Sequence, residues 1–213
     1  MIKKYKKTII ITSLLTLVPM VIGLILWNQL PERIATHFNI NNEPDAYSSK
    51  AFAVFALPAL MLVFHLVCCF ASSLDPKGSN YTDKMMKIVL GICPAISIVT
   101  CSMVYLHALG KGVDIGFAAS MLVGIMFIVV GNYLPKCKQS YTMGIKLPWT
   151  LNDEENWNKT HRLAGKLWVL GGVIICATAV LANFFVLMAV TLLMCVVPTV
   201  YSYTMYKKSN SDS

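Results

Sequence analysis

Six long apolar runs, at residues 8–27, 51–71, 86–107, 115–134, 166–182 and 184–206, divide this chain, with polar stretches between most of them. Each is close to the ~20 helical residues that cross a hydrocarbon core. None alternates apolar and polar positions as the strands of a membrane barrel do. Every backbone polar group inside lipid must be satisfied within the segment, so the pattern predicts six transmembrane helices. The last two runs meet near Asn183 and predict a helical hairpin with a very tight turn. Pro19, Pro58, Pro94 and Pro198 fall inside the runs, where each removes a backbone donor and favours a kink.

The runs carry little chemistry. None has Asp or Glu in its interior, and relays of protons or ions through a bilayer generally use such groups. His65 is the deepest ionisable residue, and with no acidic partner in view it reads as a hydrogen-bonded structural histidine.

Two polar segments stand out against this background. The first, residues 29–50, reads QLPERIATHFNINNEPDAYSSK. Pro31 stops the first helix, residues 34–38 suit a short extended stretch, and the Asn-rich run to Asp45 is rich in turn formers. Asn41 and Asn42 tolerate positive φ, so a tight turn is expected there. A plain connector would suffice for topology, yet it would not need His37, Phe38, Pro44, Asp45 and Tyr47 together. A small folded cap with an exposed binding face is the alternative.

The second segment, residues 131–166, is denser. Pro135 ends the fourth helix with Asn132 and Tyr133 beside it, and Gly144 and Pro148 punctuate an irregular stretch that includes Lys146 and Trp149. Thr150 or Asn152 can cap a new helix, each with an acidic residue three positions on. Asp153, Glu154 and Glu155 suit that helix's positive N-terminus, and Lys159, Arg162 and Lys166 suit its later turns. Trp157, Thr160, His161, Ala164 and Trp168 share one face, which predicts an amphipathic helix on the membrane surface running into the fifth span. An interfacial anchor and a specific partner site both fit this pattern.

Charge then orients the chain. Of its eighteen Lys and Arg residues, all but Arg33, Lys50 and Lys111 fall in the N-terminal tail, the second and fourth connections or the C-terminal tail. Basic residues favour the cytoplasmic side, so both termini and the 131–166 segment are expected inside and residues 29–50 outside. The net charge of +8 is thereby a topology signal rather than a nucleic-acid footprint. The basic start and first apolar run imitate a signal peptide, but no small-residue cleavage site follows, so an uncleaved span is expected. All seven cysteines lie in the spans or the inner loop, away from the side where disulfides form. No Cys/His set has metal spacing, and no metal or cofactor is expected. Only 13% of residues are charged, against roughly 25% in soluble domains.

The expected fold is therefore all-α: a polytopic protein with six transmembrane helices, a small extracellular cap after the first and an amphipathic cytoplasmic helix before the fifth. The expected division is an N-terminal two-helix unit at 1–71 and a C-terminal four-helix unit at 86–213, with its cytoplasmic loop at 135–166.

At the two polar segments the chain resembles the SdpI family of bacterial membrane proteins. The family's C-terminal signature is matched by Gly131-Asn132-Tyr133-Leu134-Pro135, Gly144-Ile145-Lys146-Leu147-Pro148-Trp149-Thr150-Leu151, Trp157, His161-Arg162 and Gly165-Lys166. Leu30-Pro31, His37-Phe38-Asn39 and Pro44-Asp45-Ala46-Tyr47 resemble the small domain often fused to it. Lys146 stands where Arg is usual, Leu147 where Thr is usual, and Asn42 where a turn Gly is usual. The resemblance implies a non-enzymatic protein of the bacterial cytoplasmic membrane, giving immunity to a secreted membrane-active peptide toxin. It also implies a possible second role, sensing the toxin and holding a cytoplasmic autorepressor. Toxin would then meet His37, Phe38, Asn39, Pro44, Asp45 and Tyr47. A cytoplasmic partner would meet Asn132, Tyr133, Pro135, Gly144, Lys146, Pro148, Trp149, Thr150, Trp157, His161, Arg162 and Lys166. A peptide transporter is the alternative class. A membrane-embedded protease is another, resting on Glu154-Glu155 and on His37 and Asn41, but the charge pattern puts those two motifs on opposite sides.

Overall fold

In a computed structural model, which describes residues 2–181 and 184–211, six helical segments are long and apolar enough to cross a membrane. The chain is a multi-pass helical membrane protein. The turn expected near Asn183 lies outside the described residues.

The first segment is two helices, α1 (Ile2–Thr16) and α2 (Val18–Ile25), broken at Leu17 just before Pro19. The second opens with a wide π-helical turn, Phe52–Ala56, and continues as α3 (Leu57–Ser73). Pro58 explains that turn: its ring has no N–H to donate and crowds the carbonyl four residues back, and a wider turn relieves the crowding. Pro94 and Pro198 sit inside α4 (Asp83–Ala108) and α8 (Phe184–Ser211). The remaining long helices are α5 (Ile115–Tyr133) and α7 (Glu154–Thr178), with a five-residue helix α6 (Pro148–Asn152) ahead of α7.

The helices group into two compact units, one of Met1–Ser73 with Met86–Leu122 and one of Leu74–Met85 with Val123–Ser213. In the first, α1 lies against α3. Leu30, Ile34, Ala53, Val54, Cys101 and Tyr105 form its core. His65 is buried with Thr12 Oγ1 at 3.0 Å from its Nε2, the hydrogen-bonded structural role its setting predicted. Residues 29–50 fold as an antiparallel hairpin, β1 (Arg33–Phe38) and β2 (Pro44–Ser49), with Arg33 opposite Ser49 and Phe38 opposite Pro44. Asn42 turns the corner at φ 63°.

In the second unit α7 packs along α8. The amphipathic segment expected on the membrane surface is instead the opening three turns of α7, continuous with the fifth span. Its apolar face is covered by protein: Trp157, Thr160, His161 and Ala164 are all buried. The helix is capped by Asp153, whose carboxylate accepts the Glu155 and Asn156 N–H groups, rather than by Thr150 or Asn152. Asp153 is the first residue after α6 with extended backbone, the conformation a cap requires.

Candidate functional site

In the hairpin, the turn is built by its own side chains. Asn39 Oδ1 accepts the N–H groups of Asn41 and Glu43 at 2.9 and 3.0 Å. Asn42 donates from its amide to Asp114 at 2.9 Å and accepts the Gly116 N–H at 2.9 Å, so the tip is tied to the start of α5. At the base, buried Lys50 binds Glu32 at 2.8 Å and lies 4.8 Å from the Trp27 ring centroid. Phe38 meets His107 edge-on, ring centroids 4.9 Å apart.

Of the six residues expected to recognise a ligand here, three are thereby occupied. Asn39 shapes the turn, Pro44 begins β2 and Phe38 packs on His107. His37 and Asp45 form a 2.5 Å pair whose side chains are 69% and 42% exposed, and the Tyr47 ring is exposed. These three residues are the accessible part.

The 131–166 segment is organised around His161. Its Nδ1 lies 2.8 Å from the Trp157 carbonyl, an acceptor, and its Nε2 accepts the Ile145 N–H at 2.9 Å. The two bonds require the neutral ring protonated at Nδ1. The imidazole stacks on Trp157 at 4.0 Å, and Trp157 donates to the Cys137 carbonyl at 2.7 Å. Gly144 crosses this stack at φ 105°. A Cβ there would lie 2.5 Å from His161 Nε2 and 2.8 Å from Trp157 Cζ2, so glycine is required both for backbone and for space. Thr150 closes the same loop, accepting the Leu147 N–H at 2.9 Å and lying 2.9 Å from the Ile145 carbonyl it donates to. Cys137 is buried here, and burial pushes its thiol up to about 12, far from a reactive thiolate.

A second network joins α6 and α7 to α8. Trp149 donates from Nε1 to Ser202 Oγ at 2.8 Å; Ser202 donates to Asn156 Oδ1 at 2.6 Å; and Asn156 Nδ2 returns to the Ser202 carbonyl at 2.9 Å. Thr160 adds a 3.0 Å bond to Asn156 Oδ1. Trp149 also stacks on Tyr206 at 5.6 Å.

A third anchor is centred on Asp75. Asp75 is buried, and its Oδ2 is met by Tyr81 Oη, Ser140 Oγ, the N–H groups of Tyr141 and Thr142, and Thr142 Oγ1. Oδ1 accepts the Lys77 N–H at 2.8 Å. Burial by itself would raise this carboxyl, but the donors from Tyr81, Lys77, Thr142 and Ser140 outweigh it and hold it at about 2. Burial, then the bond to Asp75, raises the Tyr81 phenol and keeps it a donor. Asp75, Tyr81, Ser140, Asn156 and Ser202 carry no helical or motif signal. Asn156 in particular sits in a run of Asp, Glu and Asn that reads as solvated.

Of the twelve residues expected to meet a partner, Gly144, Thr150, Trp157, His161 and much of Trp149 are thus committed to internal packing. Tyr133 takes Lys84 and Lys136 over its ring at 5.6 and 5.1 Å. Pro135 presses on Gly165, where a Cβ would meet its Cγ at 2.6 Å. Pro148 opens α6. Lys146 reaches the Thr142 carbonyl at 3.3 Å. Asn132, Arg162 and Lys166 are exposed.

Fold and segments together define a multi-pass membrane protein whose helices carry a hairpin in one unit and a buried polar scaffold in the other. Residues 136–202 match the model of the SdpI/YfhL protein family, and residues 14–62 match a domain of unknown function, DUF1648. The chain is 28% identical over 206 residues to the Immunity protein SdpI of Bacillus subtilis (strain 168), covering 95% of this chain and 98% of that protein. The family likeness lies in residues 136–202, and the likeness to that protein runs nearly end to end. No solved structure matches it.

Proposed function

We propose that this chain is an immunity protein of the bacterial cytoplasmic membrane, protecting its cell from a secreted membrane-active peptide toxin. The observation that carries the reading is the near end-to-end match to a protein of that name, which takes in both polar segments. The excess of Lys and Arg at the termini and in the 131–166 segment supports an inward orientation of those parts and an outward hairpin. The exposed His37, Asp45 and Tyr47 then form the toxin-facing surface, with Phe38, Asn39 and Pro44 shaping it. Arg162, Lys166 and Lys146 form a cationic cytoplasmic face suited to an acidic patch on a soluble partner, such as an autorepressor held at the membrane.

Expression in a toxin-sensitive bacterium, challenged with a secreted membrane-active peptide, tests the reading. Survival should rise with the wild-type chain and fall for the His37→Ala, Asp45→Ala, Tyr47→Ala triple variant at equal membrane abundance. No protection by the wild-type chain against any such peptide would overturn immunity. Uptake of labelled peptide into inverted vesicles would replace it with transport. Fusions reporting Thr150 outside would overturn the orientation.

A further inference from the structure

Where α5 ends against α7, the two backbones touch. A Cβ at Gly131 would lie 2.8 Å from Trp168 Cβ, and one at Gly165 would lie 2.8 Å from the Gly131 carbonyl. With no side chains at this contact, a groove of about 450 Å³ opens beside it, walled by Pro135 and by Val169, Leu170 and Val173 of α7. Asn132 and Lys166 stand at one end. Arg162 lies one turn before Lys166 on the same helix face. Along that face α7 runs from two cations into apolar side chains. Neither cation has a hydrogen-bond or ion-pair partner among the described residues, and the preceding acid on the helix, Glu155, is taken by Lys159 at 2.6 Å.

We propose that this groove holds one anionic phospholipid, its phosphate between Arg162 and Lys166 and an acyl chain along Val169, Leu170 and Val173. The charge complementarity selects the headgroup. Lys and Arg beside an anionic membrane attract its lipids, and neither cation is paired with an acid among the described residues. The apolar wall below selects a chain-bearing ligand over a soluble anion. Asn132, which lines the same groove, is exposed beside the two glycines. This inference does not rest on the immunity reading, and at Arg162 and Lys166 a bound lipid competes with the soluble partner proposed above.

The test is native mass spectrometry of the full-length chain in detergent, titrated with dioleoylphosphatidylglycerol or dioleoylphosphatidylcholine. The wild-type chain should retain one phosphatidylglycerol with roughly tenfold preference. R162Q/K166Q should bring that preference to about onefold with an unchanged melting temperature, because both side chains are exposed. K207Q/K208Q, equal in charge removed, should keep it. V173W should lose the lipid with both cations in place, and sn-glycero-3-phosphoglycerol, the headgroup without chains, should not compete. Equal retention of the two lipids by the wild-type chain would overturn the proposal. So would retained preference in R162Q/K166Q, an equal loss in K207Q/K208Q, or full competition by the chainless headgroup.

Discussion

The hairpin at 29–50 and the basic segment at 131–166 look alike in sequence, as polar and aromatic islands among apolar helices. They differ in what their side chains do. The hairpin uses a few residues to hold its turn and leaves His37, Asp45 and Tyr47 in the open. The basic segment turns inward: Trp157, His161, Asn156 and Thr150 are all buried and bonded to one another's loops. An unusual motif is therefore not by itself an exposed site. In the basic segment most of the distinctive residues build a frame, and the accessible chemistry is the cationic rim that the frame carries.

The sharpest way to break this contrast is Gly144→Ala. Its Cβ would strike His161 and force a non-glycine residue to φ 105°. We expect about 3 kcal/mol or more of destabilisation, read as a large drop in melting temperature in detergent. A melting temperature within about a degree of wild type would mean the loop is not locked to the Trp157–His161 stack.

Asn156→Leu removes the hub of the α7–α8 network and leaves the buried Ser202 and Thr160 hydroxyls without their shared acceptor. A loss of roughly 2–3 kcal/mol is expected. Trp149→Phe, which deletes a single bond to Ser202, should cost about 1 kcal/mol; a larger loss for Trp149→Phe than for Asn156→Leu would reverse their assigned ranks.

Asp75 gives a pH test. Its carboxyl is depressed in the folded chain to about 2 from the ordinary 3.8, so its contribution is whole above pH ~4 and disappears as pH falls through about 2. Asp75→Asn should destabilise the chain at pH 7 by about 1.5–3 kcal/mol, read as a lower melting temperature, and flatten the fall between pH 4 and pH 2. A variant as acid-sensitive as wild type would assign that fall to other groups.

At the hairpin the effects should be smaller and local. Asn42→Ala loses two bonds and places alanine at φ 63°, costing about 1–2 kcal/mol and opening residues 38–46 to proteolysis without shifting global melting. Arg162→Lys closes the series, with a stability change inside about 0.5 kcal/mol. If its partner needs a planar fork of donors, partner capture should nonetheless drop.

The sequence was most informative where periodicity and breakers act locally. The six spans, the Asn42 corner and the shared face of Trp157, Thr160, His161 and Ala164 all follow from spacing. What covers that face does not. Lipid and protein select the same residue types for an amphipathic helix, so the pattern fitted a surface anchor as well as the buried start of α7. Asp75 was hidden for a related reason: a single carboxylate in a short loop acquires meaning from donors some sixty residues away.

That separation has a consequence for biosynthesis. Thr142 lies 67 residues after the carboxylate it binds, with the whole of α4 and α5 emerging between them. At translation rates of 5–20 residues per second, Asp75 waits roughly 3–13 s before Ser140, Tyr141 and Thr142 leave the ribosome. Through that interval the loop at 74–82 offers Asp75 only its own donors, the Lys77 N–H and Tyr81 Oη, with water or the insertion machinery supplying the rest. Capture of the carboxylate is then a late event, which marks the point in synthesis when the second unit can begin to close.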